Sequence, residues 1–349
     1  MSASRADHAP SEGDTGRVNT DWFRDARWGL FCHYLAAPAS SRGGAEVTAD
    51  AWNRRLDAFD VETYADQLES VGAGYSIFTL GQNSGHYCSP NATYDGFVGR
   101  RPGLCSRRDL IAELAAALGK RGIALLVYVP SHAPAVDVQA VEALGCTPPW
   151  PDGGRGWSFR DDFHIAPGTD DRLSRFQRNW EAVLREWSER WGRGVRGWWV
   201  DGVFYADRMY NHPDEPNFKS FAAALRAGNP DSIIAFNSGV HVPVVSVTEY
   251  EDYTAGELNR AFPTDIVRPP KFTPVRRWVE GAQYHVVTFV GGWWGQGEPR
   301  FCKEFVVGCT REINRRDGVV SWDIPINDRG LIAPPFLKLL HALRRATRE

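Results

Sequence analysis

Eight short apolar runs with high β propensity recur along the chain, and amphipathic helical segments separate most of them. The runs are 28–35, 75–80, 123–130, 195–201, 232–237, 244–250, 283–290 and 319–326, and the helical segments are 62–71, 106–122, 172–191, 217–228, 300–316 and 335–349. Strands that alternate with helices form a parallel sheet, and eight of them predict an α/β fold, a single (β/α)8 barrel of the TIM type. Too few residues separate 237 from 244 for a barrel helix, so one helix is expected to be missing or replaced by a loop.

The fourth run is the most informative, because a carboxylate and a glycine stand at the point where the chain leaves the predicted core. It reads Val195-Arg196-Gly197-Trp198-Trp199-Val200-Asp201-Gly202. A carboxylate at the end of a buried strand is costly unless it is paired, hydrogen-bonded or used in chemistry. In a barrel of parallel strands, chemistry takes place at that end. Asp201 is therefore either a catalytic group or a cap for the following turn.

Charge and composition exclude several classes of function. The net charge is −3 and Lys and Arg are scattered, so we expect neither nucleic acid nor an anionic membrane as a partner. The six cysteines form no CxxC pair, and no metal-ligand spacing, GxGxxG motif, P-loop or GxSxG elbow is present, which predicts neither metal nor cofactor.

The first residues are polar and contain no apolar signal segment. We therefore expect a cytoplasmic protein with reduced thiols, in which residues 1–20 are a disordered leader and residues 21–349 form one catalytic domain. No apolar run is long enough to span a membrane. The sequence does not indicate an oligomeric state.

Residues near the strand ends are expected to face one mouth of the barrel. They are rich in groups that hydrogen-bond hydroxyls, in carboxylates and in aromatic rings, a set typical of carbohydrate recognition. The candidate binding residues are His33, Tyr34, Gln82, Asn83, His86, Tyr128, Trp199, Asn237, Trp293 and Trp294. Asp323 lies at the eighth strand, and the long loop 131–169 has the length of a functional segment.

Several segments, in order, resemble the retaining α-L-fucosidases of glycoside hydrolase family 29. They include Trp22-Phe-Arg-Asp-Ala-Arg-Trp-Gly-Leu-Phe-Cys-His33, Trp199-Val200-Asp201-Gly202 and Ile324-Pro-Ile-Asn-Asp-Arg-Gly-Leu-Ile332, within a match from about Asp21 to Leu340. The resemblance implies that Asp201 is the nucleophile and that the end of the first strand contacts the sugar. Of the two tryptophans at 198 and 199, one is expected to line the sugar site and the other to face the barrel helices.

The chain departs from this family's pattern at three places. The family usually has a His-His pair where this chain has Gln82 and Asn83. The expected Trp-Glu pair before Trp294-Gly295 is absent, so the general acid is open between Glu251, Glu257 and His285. The family's C-terminal β-sandwich is not expected here.

The sequence thus predicts a glycoside hydrolase that resembles α-L-fucosidases. Its substrate is expected to be a small intracellular glycoside with a deoxy- or galacto-configured sugar. Two alternatives stay open: a barrel that binds a sugar without hydrolysing it, and a transglycosylase of specialised metabolism.

Overall fold

A computed structural model describes residues 16–37, 47–147, 170, 172–259 and 277–348. Its main sheet contains seven strands: β1 (Trp28–Cys32), β2 (Tyr75–Thr79), β3 (Ala124–Pro130), β4 (Val195–Asp201), β5 (Ile233–Asn237), β8 (His285–Phe289) and β9 (Val319–Asp323). A separate antiparallel pair consists of β6 (Trp278–Val279) and β7 (Ala282–Gln283).

The main sheet has the order β5-β4-β3-β2-β1-β9-β8, and all its pairs are parallel. It is curled into a half-barrel, which is consistent with the predicted (β/α)8 barrel. Because the strands are parallel, their carboxyl ends meet at one rim. That rim carries Asp201, which pairs in register with Asn237, and Asp323, which pairs with Phe31.

Helices cover the outside of the sheet, except the first, whose Phe23 packs against Tyr75 and His285 on the inner face. They are α1 (Asp21–Ala26), α2 (Ala49–Asp57), α3 (Val61–Val71), α4 (Ala92–Val98), α5 (Leu110–Lys120), α6 (Val138–Leu144), α7 (Ser174–Trp191), α8 (Ala206–Met209), α9 (Phe218–Leu225), α10 (Lys303–Asn314) and α11 (Pro334–Arg348). Side chains cap the first turns of α3 and α5, where Asp60 and Asp109 accept from backbone N–H groups three residues on.

The strands are buried on both faces, which explains their nearly continuous apolar sequences. One face packs with the helices, and Trp198 lies in that layer against Trp191, with ring centroids 5.9 Å apart. The other face encloses a second cluster that contains Trp199, Tyr128 and Phe31. Residues 198 and 199 thus point to opposite faces, as alternation along a strand requires.

The predicted sixth strand is wrong. Residues 244–250 form no strand, and pairing occurs farther along. The backbone N–H of Asp252 donates to Ile234 in β5, while Glu257 forms a parallel bridge with Val287 in β8. Residues 238–258 contain no helix, which agrees with the expected loss of a barrel helix after the fifth strand.

The end of the predicted leader is ordered, contrary to the prediction for residues 1–20. The guanidinium of Arg17 donates to the backbone carbonyl of Glu251 at 2.8 Å, and the N–H of Val18 donates to Asp252 at 2.6 Å. Residues 1–15, like residues 148–169 of the long loop, lie outside the described part of the chain.

Candidate active site

The candidate site begins where β4 ends. Asp201 is the last residue of that strand, and Gly202 follows with φ +82°. A side chain at position 202 would need this left-handed conformation and would also meet the ring of His132 at 2.9 Å. The glycine therefore lets the chain turn sharply and leaves the carboxylate of Asp201 at the rim.

Two side chains fix the carboxylate of Asp201. The hydroxyl of Tyr128 donates to Oδ2 at 2.6 Å, and the amide of Asn237 donates to Oδ1 at 2.8 Å. Gln82 donates in turn to the Tyr128 hydroxyl at 2.8 Å. Hydrogen bonds to an ionised acceptor are strong, so these partners hold the carboxylate in one orientation.

The same amide nitrogen of Asn237 also donates to Oε2 of Glu257, at 2.7 Å. The bonded oxygens of Asp201 and Glu257 therefore lie no farther apart than the two bond lengths added together, about 5.5 Å. Retaining glycosidases keep their carboxyl pair about 5–5.5 Å apart, whereas inverting enzymes keep it about 6.5–9.5 Å apart.

The two carboxyl groups have different environments. Burial and, to a smaller extent, the charge of Asp201 together raise the pKa of Glu257 to about 7, while the bond from Asn237 and the nearby His33 oppose the rise. Asp201 accepts two side-chain hydrogen bonds. A proton donor beside a hydrogen-bonded carboxylate is the division of roles that acid-assisted displacement requires.

A second group lies beside this pair, at the ends of β1 and β9. Nδ1 of His33 is 2.6 Å from Oδ2 of Asp323, and the backbone N–H of Gly295 donates to Oδ1 at 2.7 Å. The ring of Trp294 lies 5.5 Å from that of His33. A Cβ at Gly295, which has φ +64°, would come within 2.7 Å of the His33 side chain, so the Trp294-Gly295 turn needs the glycine to pack there.

Aromatic rings form the floor of the site. Tyr128 and Trp199 stack with centroids 5.5 Å apart, and Phe31 meets Trp199 edge-on at 5.3 Å. The indole N–H of Trp199 donates to the carbonyl of Ala255 at 3.1 Å. These contacts fix the three rings, which are all buried beneath the rim.

Two of the three predicted acid candidates do not join this group. Glu251 is fully buried, and its two oxygens accept from the backbone N–H groups of Val247 and Phe236 at 2.6 and 3.2 Å. His285 is the first residue of β8 and lies at the opposite end of the sheet from the rim. Its ring nitrogens contact the carbonyl of Thr254 and the hydroxyl of Ser321 at 2.9 and 2.8 Å, and burial lowers its pKa to about 4.

Other predicted binding residues also have structural contacts. The hydroxyl of Tyr34 donates to the carbonyls of Asp328 and Arg55, and its ring is buried in the layer beneath the helices, away from the floor of the site. His86 is buried and packs edge-on against Trp52. The backbone carbonyl of Asn83 accepts a bond from the N–H of Val136, and Trp293 pairs with Gln296 in a tight turn.

Asp323 and His132 are predicted from the sequence to lie at the mouth of the barrel, but the sequence assigns neither of them a role in the site. His132 is buried against Gly202, near enough to Asp201 for that charge to oppose the lowering of its pKa by burial. Asp323 ends β9 and His132 follows β3, which is the position from which the sequence places them at the mouth.

The described residues contain no group of three or more His, Cys, Asp or Glu side chains arranged to hold a metal ion. None of the helices in the described part of the chain combines the length and the apolar character needed to cross a bilayer.

No family model and no curated protein matches the sequence. Several solved structures have a similar fold. An endo-fucoidan hydrolase of glycoside hydrolase family 107 aligns with a TM-score of 0.67 and 17% identity over 96% of this chain and 54% of its own. This chain thus spans about half the length of that hydrolase.

Two α-L-fucosidases are also similar. Isoenzyme 1 from Paenibacillus thiaminolyticus aligns with a TM-score of 0.61 and 16% identity over 94% of this chain and 75% of its own. A family 29 enzyme from Bacteroides thetaiotaomicron aligns with a TM-score of 0.60 and 18% identity over 97% of this chain and 76% of its own. In that enzyme a covalent intermediate was trapped with 2-fluoro-fucosyl fluoride in a Glu-to-Gln mutant. The chain therefore has the fold of fucosidase-like glycoside hydrolases.

Proposed function

We propose that this chain is a retaining glycoside hydrolase in which Asp201 is the nucleophile and Glu257 is the general acid and base. The observation that carries the proposal is the single Asn237 amide, which bonds to both carboxyl groups and keeps one oxygen of each within about 5.5 Å of the other.

The proposed reaction has two steps. Asp201 attacks the anomeric carbon while Glu257 donates its proton to the glycosidic oxygen, so the C–O bond to the aglycone breaks and a glycosyl ester forms. Glu257, now a carboxylate, takes a proton from water. The resulting hydroxide oxygen attacks the anomeric carbon, and Asp201 leaves as a free carboxylate.

Glu257 is favoured over the other two acid candidates because it alone among them bonds to Asn237, which is a hydrogen-bond partner of Asp201. Both Glu251 and His285 are fully buried and are held by groups outside the cluster around Asp201. Glu257 is only partly buried, and its pKa of about 7 keeps a substantial protonated fraction near neutral pH.

We further propose a small glycoside of a deoxy- or galacto-configured sugar as the substrate, with fucose as the first candidate. The similar structures include a fucoidan hydrolase and α-L-fucosidases, and this likeness supports the choice of fucose. His33, Gln82 and Trp294 lie around the carboxyl pair and offer hydrogen-bonding groups and an aromatic face to a sugar ring.

The test compares Asp201→Asn with Asp207→Asn, an exposed aspartate on α8. We expect Asp201→Asn to abolish hydrolysis across a panel of aryl glycosides that includes the α-L-fucoside, and Asp207→Asn to retain it. A 2-fluoro-fucosyl fluoride should label the wild-type chain on the peptide that contains Asp201. Full activity of Asp201→Asn, or labelling of another carboxylate, would contradict the assignment, and sugar binding without turnover would favour a binding protein.

A further inference from the structure

The loop that follows β5 exposes an unusual number of valine side chains beside the candidate site. Val240, Val242 and Val245 are 41%, 37% and 38% exposed, and they lie within eight residues of Asn237. An exposed apolar cluster next to a polar site often marks a surface that binds an apolar group.

A small cleft, open to solvent, lies beside this loop. Asn237 and Glu257 are among the residues that line it. The rest is lined mainly by the loop and by the start of the segment that leads to Glu257: Phe236, Ser238, Gly239, His241, Val244, Val245, Val247, Ala255 and Gly256. The proposed general acid therefore borders a small cleft whose other lining residues are mostly apolar or glycine.

Charge restricts what this cleft can bind. Residues 238–259 contain no Lys or Arg, and the charged side chains among them are the carboxylates Glu249, Glu251, Asp252 and Glu257. The one basic side chain, His241, is engaged with the hydroxyl of Ser238 at 2.9 Å. An anionic group would find no cation on this wall, so the described lining disfavours a charged glycan chain.

We propose that the loop 238–247 forms the aglycone subsite and that it accepts an uncharged, apolar alkyl or aryl aglycone. The inference rests on the proposed function. A general acid must lie about 2.6–3.2 Å from the oxygen that it protonates, so the aglycone begins at Glu257. Val245 lines the same small cleft as Glu257, so an aglycone that lies over this cleft would cover Val245 and displace water from it.

The test uses methyl, butyl and hexyl α-L-fucosides with wild-type enzyme and two substitutions of Val245. We expect kcat/KM to rise about fourfold for each methylene that becomes buried against the loop, until the alkyl chain extends beyond it. Val245→Ser should flatten this dependence on chain length, and Val245→Leu should steepen it. Val138→Ser is the matched control, because Val138 is 60% exposed and does not line the cleft, so it should leave the hexyl-to-methyl ratio unchanged.

The two possible failures are distinguishable. A wild-type hexyl-to-methyl ratio near one, a ratio unaffected by both Val245 variants, or a preference for a sulfated aglycone would overturn the subsite while leaving the hydrolase intact. If no fucoside is hydrolysed at all, the proposed function fails for this sugar. Calorimetric binding of the same three fucosides then decides the subsite, since equal affinities would overturn it and an increase with chain length that Val245→Ser removes would support it.

Discussion

Replacing Glu257 with Gln should make the protein more stable at alkaline pH. The amide keeps the shape of the side chain and can still accept the bond from Asn237, but it never becomes charged beside Asp201. Burial and that neighbouring charge raise the pKa of Glu257 from 4.5 to about 7 in the folded protein. Between these two values the unfolded chain has lost a proton that the folded protein keeps, so stability falls as the pH rises through this window.

The size of the effect follows from the two pKa values. The ionised carboxylate destabilises the fold by about 3 kcal/mol once the pH is well above the folded pKa, and by about 1 kcal/mol or less near pH 5. Urea unfolding followed by tryptophan fluorescence should therefore show Glu257→Gln to be more stable than wild type by about 3 kcal/mol near pH 8, and nearly equal to it near pH 5. Glu249→Gln, at an exposed neighbouring glutamate, should leave the pH dependence as it is.

The same variant tests the catalytic role. A general acid must be protonated, so wild-type kcat/KM should fall above about pH 7 and the variant should lose this alkaline limb. Alkyl glycosides should lose about 10²–10⁴-fold in rate, because their leaving groups need a proton, whereas glycosyl fluorides should lose much less. Equal stability of variant and wild type near pH 8, together with an unchanged alkaline limb, would refute the placement of Glu257 beside Asp201.

Two further variants test the partners of the carboxyl pair. Asn237→Asp removes the shared donor and adds a third carboxylate, which should raise the pKa of Glu257 further. We therefore expect activity to fall and the alkaline limb of kcat/KM to move to higher pH. An alkaline limb that stays in place would show that Asn237 does not couple the pair. Asp323→Asn keeps the shape of the group that contacts His33 but removes its charge, so we expect a raised KM with a smaller change in kcat. A fall in kcat alone, measured on the aryl fucoside, would show that His33 acts in the chemistry and not in sugar binding.

The strands that the sequence predicted best are β2, β3, β4 and β5, whose observed ends lie within one residue of the predicted ends. β4 and β2 are nearly continuous apolar runs. Residues 244–250 misled the prediction because their valines have β propensity but pair with no strand. The pairing falls instead on residues 252–258, where Thr254, Gly256 and Glu257 break the apolar pattern.

The misplaced site residues have a similar explanation. His285 lay inside a predicted strand of 283–290, but β8 begins at His285, which places it at the end of the sheet opposite the rim. Tyr34 lies two residues after the end of β1, yet its side chain turns into the layer beneath the helices and its hydroxyl binds backbone carbonyls. The position of a residue along a strand can be predicted only as accurately as the ends of that strand.

Glu251 and Glu257 show why a perturbed carboxyl group does not by itself mark an active site. Burial raises the pKa of both to about 7. Glu251 accepts bonds from two backbone N–H groups, one in β5 and one in the loop that follows it. Its carboxyl group therefore holds that loop against the strand. Glu257 shares its donor with Asp201 and opens onto a cleft. A proton on Glu257 can therefore reach a molecule that is bound next to Asp201, whereas a proton on Glu251 stays inside the protein. This difference in access, and not the pKa, decides which of the two glutamates can act as the acid.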